Sequence, residues 1–177
     1  MTWILLLRGI NVGKAKRMPM AELRRMLEQL GYRDVATLLN SGNVVFKAAS
    51  AKADALGTRI ERAIEKTFGF SSRCFVLSAR DLSTMIAENP LVERADNPSR
   101  LVVAFLPDRA LGARLRPLLD QTWGEEALAV GSRAAYLWCP HGIAVSPLVE
   151  AVGRALGTEV TMRNWATVEK LARLAER

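Results

Sequence analysis

A stretch near the start of the chain joins a strand-like apolar run to a loop that could bind an anion. The apolar residues 3–7 are followed by RGINVGKAK, which contains two glycines and the bases Arg8, Lys14 and Lys16. A helix is predicted to start near Pro19, and the backbone N–H groups at a helix N-terminus favour negative charge. Binding of a phosphate or carboxylate group is therefore the chemistry that this stretch indicates.

The known phosphate-binding loops do not match this stretch. Gly9 and Gly13 enclose three residues, whereas a Walker A loop has four, and Ala15 stands where a hydroxyl would hold Mg²⁺. The dinucleotide pattern G-x-G-x-x-G is also absent from the loop. The loop is therefore either an anion site of a less specific kind or a flexible basic connection, and the sequence leaves both interpretations open.

Further polar residues follow or precede predicted strands, and each also has a structural interpretation. Arg8 could form an ion pair, the turn NSGN at 40–43 could simply close a hairpin, and Asn164 could cap the last helix. We expect the end of the first strand and the NSGN turn to lie at opposite ends of neighbouring strands or diagonally, with no reason to meet. The candidate ligand-binding residues are Arg8, Asn11, Gly13, Lys14, Lys16, Asn40, Ser41, Asn43, Arg163 and Asn164.

Metal and thiol chemistry are not indicated. The only histidine, His141, lies two residues from Cys139, and no further histidine or cysteine pair completes a metal site. Neighbouring residues at a strand end rarely reach each other in catalytic geometry. Cys74 and Cys139 lie in strand-like runs and are expected to be buried free thiols. No metal, cofactor or catalytic residue is assigned.

The composition is that of a globular protein with a basic N-terminal third. The 177 residues carry a net charge of +7, and residues 1–33 contain seven bases against two acids. Such a segment favours an anionic partner, either a small molecule or nucleic acid, although it could also serve solubility. No apolar run is long enough for a membrane span or signal peptide, so we expect a cytoplasmic protein without a membrane partner.

The order of predicted elements indicates an α+β fold with two ferredoxin-like halves. Each half has the order β-α-β-β-α-β, and a linking helix and a C-terminal helix are added. The expected organisation is a first half at 1–78, a linking helix and linker at 79–100 and a second half at 101–177, in one compact unit. Strands are predicted at 3–8, 35–39, 44–47, 73–77, 101–106, 127–130, 135–139 and 159–162, and helices at 19–31, 53–68, 78–89, within 110–121, at 146–157 and at 164–175.

Two of the predicted strands are apolar at consecutive positions. They are WILLL at 3–7 and LVVAFL at 101–106. A sheet with one solvated face would show alternation of apolar and polar residues. We therefore expect both faces of these strands to be buried.

Three segments closely resemble a bacterial family known as domain of unknown function 1697. They are LLRGINVGKAKRMPMAELR, LNSGNVVF and TMRNWATVEKL. The resemblance implies a small cytoplasmic α/β protein with duplicated ferredoxin-like halves, and it brings no catalytic residue with it. Two positions differ from many members of the family, which have glycine where Lys14 stands and lysine where Pro147 stands.

Three classes of function fit these observations. The preferred one is a binding protein for an anionic ligand, such as a nucleotide, a phosphorylated metabolite or a nucleic-acid backbone, at the loop after the first strand. The alternatives are a protein–protein interaction module without ligand chemistry and a small-molecule enzyme with an Arg/Asn anion pocket. The aromatic RNP1 pattern of sheet-stacking RNA-binding domains is absent. Nothing in the sequence indicates an oligomeric state.

Overall fold

The computed structural model describes residues 1–49 and 51–177, and these form two compact units. The first unit comprises Met1–Leu82 and Leu171–Arg177, and the second comprises Ser83–Lys170. Each unit contains one four-stranded antiparallel sheet. None of the helices in the described ranges is long and apolar enough to cross a membrane.

The first sheet has the strand order β2-β3-β1-β4. β1 lies between β3 and β4 and pairs antiparallel with both. This is the split β-α-β arrangement of a ferredoxin-like unit, as predicted from the order of elements. The elements are β1 (Thr2–Leu7), α1 (Met20–Gln29), β2 (Arg33–Leu38), β3 (Asn43–Lys47), α2 (Ala53–Phe68) and β4 (Cys74–Ser78), followed by α3 (Ala79–Ala87).

The second sheet repeats this topology with the order β6-β7-β5-β8. Its central strand β5 pairs antiparallel with β7 and β8. The predicted α+β fold with two ferredoxin-like halves is therefore confirmed. The elements are β5 (Leu101–Phe105), α4 (Arg109–Ala113), α5 (Arg116–Leu119), β6 (Ala127–Val130), β7 (Ala134–Trp138), α6 (Pro147–Leu156), β8 (Thr161–Asn164) and α7 (Trp165–Ala175).

Two predicted elements differ from the structure. The helix predicted within 110–121 is broken into α4 and α5, because Pro117 in the first turn of α5 has no N–H to continue the helical ladder. The eighth strand was placed at 159–162 but covers Thr161–Asn164, because the chain forms a 3₁₀ turn at Gly157–Glu159 before it extends. Arg163 and Asn164 therefore belong to a strand.

β1 is buried on both faces, as its continuous apolar run predicts. Leu5 and Leu7 pack in one core cluster with Leu27 and Ile60 of the two helices. On the opposite face of the strand, side chains such as Ile4 are also fully buried. β5 shows the same pattern, with all five of its residues buried.

Three helix caps are present, and the one at Asn164 is as predicted. The Ser78 Oγ accepts from the N–H of Asp81, and the Asp81 carboxylate accepts from Ser78 in return, which is a capping box. Asn164 Oδ1 accepts from the N–H of Thr167 at the start of α7, and Ser146 Oγ caps α6. Ser78 and Asn164 are each the last residue of the final strand in a sheet. Each therefore also caps the helix that follows, and no residue lies between strand and helix.

We expect Ile60→Ala to lower the free energy of unfolding by about 2–5 kcal/mol, because the side chain is fully buried against α1 and β1. Chemical denaturation followed by circular dichroism measures the change. The matched control is Thr58→Ala, an exposed position on the same helix. A loss under about 0.5 kcal/mol for Ile60→Ala would contradict the assigned core face of α2.

Candidate functional site

The pairing of β1 with β3 brings the end of β1 and the NSGN turn to one edge of the first sheet. The N–H of Leu7 donates to the carbonyl oxygen of Gly42 at 2.8 Å, and the N–H of Arg8 donates to that of Arg73 at 3.1 Å. The expectation that the two motifs lie at opposite or diagonal positions is therefore wrong. Because β3 is antiparallel to β1, its first residue, Asn43, pairs with Leu6, one residue before the end of β1.

Gly42 lets the hairpin turn approach the end of β1 closely. A Cβ at this position would lie 2.6 Å from Leu7 Cβ and 2.8 Å from Ile10 Cδ1. The residue also has a φ of +74°, which favours glycine. The glycine of NSGN is therefore required by packing as well as by turn geometry.

Asn11 joins the β1–α1 loop to the hairpin turn. Its Nδ2 donates to the carbonyl oxygens of Met18 at 2.9 Å and Asn40 at 2.8 Å. Its Oδ1 accepts from the N–H of Met18 at 2.8 Å. One amide side chain thus closes the loop on itself and fixes it to the neighbouring turn, so Asn11 and Asn40 meet through structural hydrogen bonds.

A third segment, just before β4, is bonded to the same loop. The Ser72 hydroxyl is buried and donates to the carbonyl oxygen of Arg8 at 3.0 Å. Lys16 Nζ donates to the carbonyl oxygen of Ser71 at 3.0 Å. The three segments therefore form one hydrogen-bonded assembly.

We call this assembly, residues 8–18, 39–43 and 71–73, the basic edge. It contains five bases and no aspartate, glutamate, histidine or cysteine. Lys14 and Arg17 are exposed, and no side-chain hydrogen bond or ion pair holds them within residues 1–49 and 51–177. Local positive charge at this edge is therefore not neutralised by an acid in the same segments. The five bases are Arg8, Lys14, Lys16, Arg17 and Arg73.

Two aliphatic side chains are exposed at the basic edge. Val12 is 71% exposed and Leu39 is 54% exposed, and they directly neighbour the bonded residues Asn11 and Asn40. Leu39 also has a φ of +58°, which is unusual for a residue with a side chain. The edge thus offers apolar contact area beside its positive charge.

The predicted candidates in the hairpin turn differ in exposure. Asn40 and Ser41 are exposed, whereas Asn43 is fully buried. Asn43 Nδ2 donates to the carbonyl oxygen of Leu38 at 3.0 Å and to Ser41 Oγ at 2.9 Å. Asn43 therefore shapes the turn from inside.

Arg163 and Asn164 lie on β8 in the second unit. Arg163 Nη1 donates to Thr161 Oγ1 at 2.8 Å and to the carbonyl oxygen of Met162 at 2.7 Å. Burial lowers the pKa of the Arg163 guanidinium to about 10, so it remains protonated at neutral pH. Asn164 is the cap of α7. These contacts give both residues roles within the second unit.

The corresponding edge of the second unit carries acids as well as bases. In the turn between β6 and β7, the Ser132 N–H and hydroxyl donate to the Glu88 carboxylate at 2.9 Å and 2.8 Å. These hydrogen bonds lower the pKa of the Glu88 carboxyl. Asp108 follows β5, and Glu159 precedes β8. The segments at this edge therefore include acids in the second unit and none in the first, where the Glu61 carboxylate of α2 instead accepts from the N–H of Cys74, next to Arg73, at 2.8 Å.

The histidine and the two cysteines show no shared site. His141 Nε2 lies 2.6 Å from the Glu125 carboxylate, and both side chains are exposed. Burial raises the pKa of the Cys139 thiol and that of the Cys74 thiol, which disfavours the reactive thiolate. Among the described residues, no group of three or more histidines, cysteines and acids is placed to hold a metal ion.

Four polar residues of the basic edge are absent from the predicted site residues: Arg17, Ser71, Ser72 and Arg73. The signal that could have found them is topological, because in a split β-α-β sheet the residues before the fourth strand meet the end of the first strand. Arg17 continues the basic loop already identified.

We expect Asn11→Ala to lower the free energy of unfolding by about 1–3 kcal/mol, because three hydrogen bonds are lost and the residue has a φ of +53°. Thermal or chemical denaturation measures the loss. Asn11→Gly is the matched control, since it removes the same bonds without the backbone strain and should lose less stability. Equal stability of both variants and the parent protein would show that Asn11 does not hold the edge together.

The family described as protein of unknown function, DUF1697, matches residues 1–136. Among solved structures, the chain is similar to the conserved bacterial protein SP0830 from Streptococcus pneumoniae. The two share 22% sequence identity with a TM-score of 0.76, and the match covers 98% of each chain. At this identity the likeness shows the fold alone. No curated protein matches the chain. Because the family match spans most of the sequence, this chain belongs to the DUF1697 family.

Proposed function

We propose that this chain is a cytoplasmic binding protein for an anionic, phosphate-bearing ligand, which it holds at the basic edge of the first unit. The observation that carries the proposal is that three hydrogen-bonded segments contribute five bases and no acid. Bases gathered on one surface raise the local concentration of anions and increase their rate of association.

The positions of the bases favour a ligand from outside the chain. Lys16 is bonded to a backbone carbonyl oxygen, whereas Lys14 and Arg17 extend into solvent without a partner among the described residues. The α1 N-terminus follows, and its cap residue, Pro19, makes no side-chain capping bond. The N–H groups of the first helical turn therefore add partial positive charge near the same loop.

The loop is held in a fixed arrangement before any ligand arrives. Asn11, Ser72 and Lys16 tie it to two other segments, and Gly42 packs directly on the end of β1. A loop that is already ordered loses less conformational freedom on binding. The arrangement therefore suits a binding site.

Residue types at the basic edge favour binding over catalysis. The edge has no carboxylate, imidazole or thiol that could act as a general base or as an activated nucleophile. Its hydroxyl groups belong to Ser41, Ser71 and Ser72, and that of Ser72 is engaged with the carbonyl oxygen of Arg8. The exposed hydroxyls of Ser41 and Ser71 can accompany bases in contacting phosphate oxygens.

The second unit provides a comparison within the same chain. Its turn between β6 and β7 binds the Glu88 carboxylate through the backbone and side chain of Ser132. The topologically equivalent turn of the first unit contains Ser41, which is exposed. An anion at this kind of turn is therefore compatible with the fold.

A second candidate function is a protein–protein interaction surface at the same edge. It is favoured by the exposure of Val12 and Leu39 beside the bases. A partner for such a surface would combine apolar side chains with acidic ones. Binding to this partner would depend on Leu39 as strongly as on Lys14, which separates it from binding of a small phosphate-bearing anion.

We expect inorganic triphosphate to raise the melting temperature of the parent protein by several degrees at low salt. A ligand at about 100 times its dissociation constant adds roughly 2.7 kcal/mol of stability. The shift should shrink as the salt concentration rises, since exposed charges are screened. Differential scanning fluorimetry at about 50 and 200 mM salt measures it.

The double variant Lys14→Ala/Arg17→Ala should lose most of the triphosphate-induced shift while melting normally without ligand. The matched control is Arg114→Ala/Arg154→Ala, which removes the same charge from exposed ion pairs with Glu159 and Glu150. An equal shift in the basic-edge variant and the control variant would overturn the assignment of the site. The absence of any triphosphate-induced shift in the parent protein at either salt concentration would overturn the anion site and favour the interaction surface.

A further inference from the structure

A groove with a basic rim lies on the helical side of the first unit. It has a volume of about 620 Å³ and runs between the end of α1 and the outward face of α2. Its floor is apolar, and one acid, Asp54, lies among the residues that line it. The apolar lining residues are Leu30, Ala55 and Ala63, and the basic ones are Arg59, Arg62 and Lys66.

The three bases form a row along one face of α2. Arg59, Arg62 and Lys66 are spaced by three and four residues, so they share a helix face and span about 10 Å along its axis. Arg59 Nη2 donates to the carbonyl oxygen of Leu30 at 3.0 Å, and its guanidinium lies over the Tyr32 ring, 5.7 Å from the centroid. The first base of the row is thus fixed, and the other two are exposed.

The row of bases leads toward the basic edge. α2 ends at Phe68, Gly69 caps it, and the chain reaches Ser71 two residues later. Ser71 is the residue whose carbonyl oxygen accepts from Lys16. Lys66, in the last turn of α2, therefore lies at the end of the helix that faces the basic edge. The row of bases and the basic edge are thus separated only by residues 67–70 along the chain, and we refer to the two together as one path.

We propose that this path binds a single strand of nucleic acid, whose phosphate backbone contacts both the basic edge and the bases of the α2 groove. The inference rests on the proposed function and names its ligand class. A row about 10 Å long is longer than one phosphate group can contact, whereas consecutive phosphates of a strand can follow it. The exposed positions of these bases suit a polyanion lying on the surface rather than an enclosed metabolite.

The apolar floor of the groove favours a single strand over a duplex. In a duplex the nucleobases are stacked inside, so the duplex would present only its charged backbone to the groove. A nucleobase or sugar of an unpaired strand can pack against Leu30, Ala55 and Ala63 while the phosphates contact Arg62 and Lys66. No aromatic ring lines the groove to stack on a base. Binding is therefore expected to depend on charge more than on sequence.

The test is fluorescence anisotropy with labelled single-stranded RNA and DNA of about 4 and about 15 nucleotides, measured between about 50 and 200 mM salt. The parent protein should bind the longer strands more tightly than the shorter ones. For single strands, each phosphate contact contributes about 0.7 to the slope of log K against log salt. The groove variant Arg62→Ala/Lys66→Ala should therefore reduce the slope for the long strands by about 1.4 and leave short-strand binding unchanged.

The edge variant Lys14→Ala/Arg17→Ala should weaken binding of both lengths, and the control Arg114→Ala/Arg154→Ala should weaken neither. Equal affinity for RNA and DNA would show that the protein does not contact the 2′-hydroxyl, and a preference for RNA would indicate that it does. Either result supports the single-strand path if the groove variant binds long strands more weakly.

Three results would overturn the inference. They are an unchanged salt slope in the groove variant, tighter binding of a duplex than of the single strand, and equally tight binding of poly-glutamate. If the edge variant still loses the triphosphate-induced thermal shift in such a case, the proposed anion site stands and only the strand path fails. If the edge variant keeps both the shift and the strand affinity, the proposed function fails as well.

Discussion

The antiparallel pairing of β1 with β3 is the constraint on which the rest of the first unit depends. It places the buried run of β1 at the centre of the sheet and sets the end of that strand beside the start of β3. The contact between Leu7 and Gly42 leaves no room for a Cβ on residue 42, so only glycine allows the hairpin turn to lie this close to the strand. The loop after β1 meets the hairpin turn because of this pairing, and the segment before β4 joins them because β4 pairs with the other side of β1.

The framework of the basic edge depends largely on neutral side chains, although Lys16 both bonds to it and supplies charge. Neutral side chains build the framework, since Asn11 and Ser72 join the segments and Asn43 shapes the turn from within the protein. Charged residues such as Lys14 and Arg17 stand on that framework and contribute little to its hydrogen bonding. This division lets the charge of the edge vary while the fold is maintained, because removing an exposed base costs little stability.

The sequence was sufficient for the fold because apolar periodicity and turn residues determine most elements locally. The helix at Ala53–Phe68 and the cap at Asn164 are present as predicted, and the caps at Ser78 and Ser146 also follow from local chemistry. Pro117 is a signal for a helix break, but the helical spacing of the leucines on both sides of it predicts one helix.

Sequence reasoning was weakest where distant segments meet. The β1–α1 loop contacts the NSGN turn because of the strand order of the sheet. The order of predicted elements along the chain does not give that strand order directly. The same holds for Arg73, which reaches the edge only because β4 pairs with the other side of β1. Hydrogen bonds such as that from Asn11 to Asn40 join residues 29 positions apart, and no local signal marks them.

The Glu88 carboxylate gives the two sheet edges different access to dissolved anions. Because Glu88 belongs to the same chain as the Ser132 turn, its effective concentration there is far above that of a typical free metabolite. A dissolved anion must displace this tethered carboxylate to reach the second unit's turn. A fold that has been repeated within one chain can thus place one of its own carboxylates at the turn of one copy, although both copies follow the same topology.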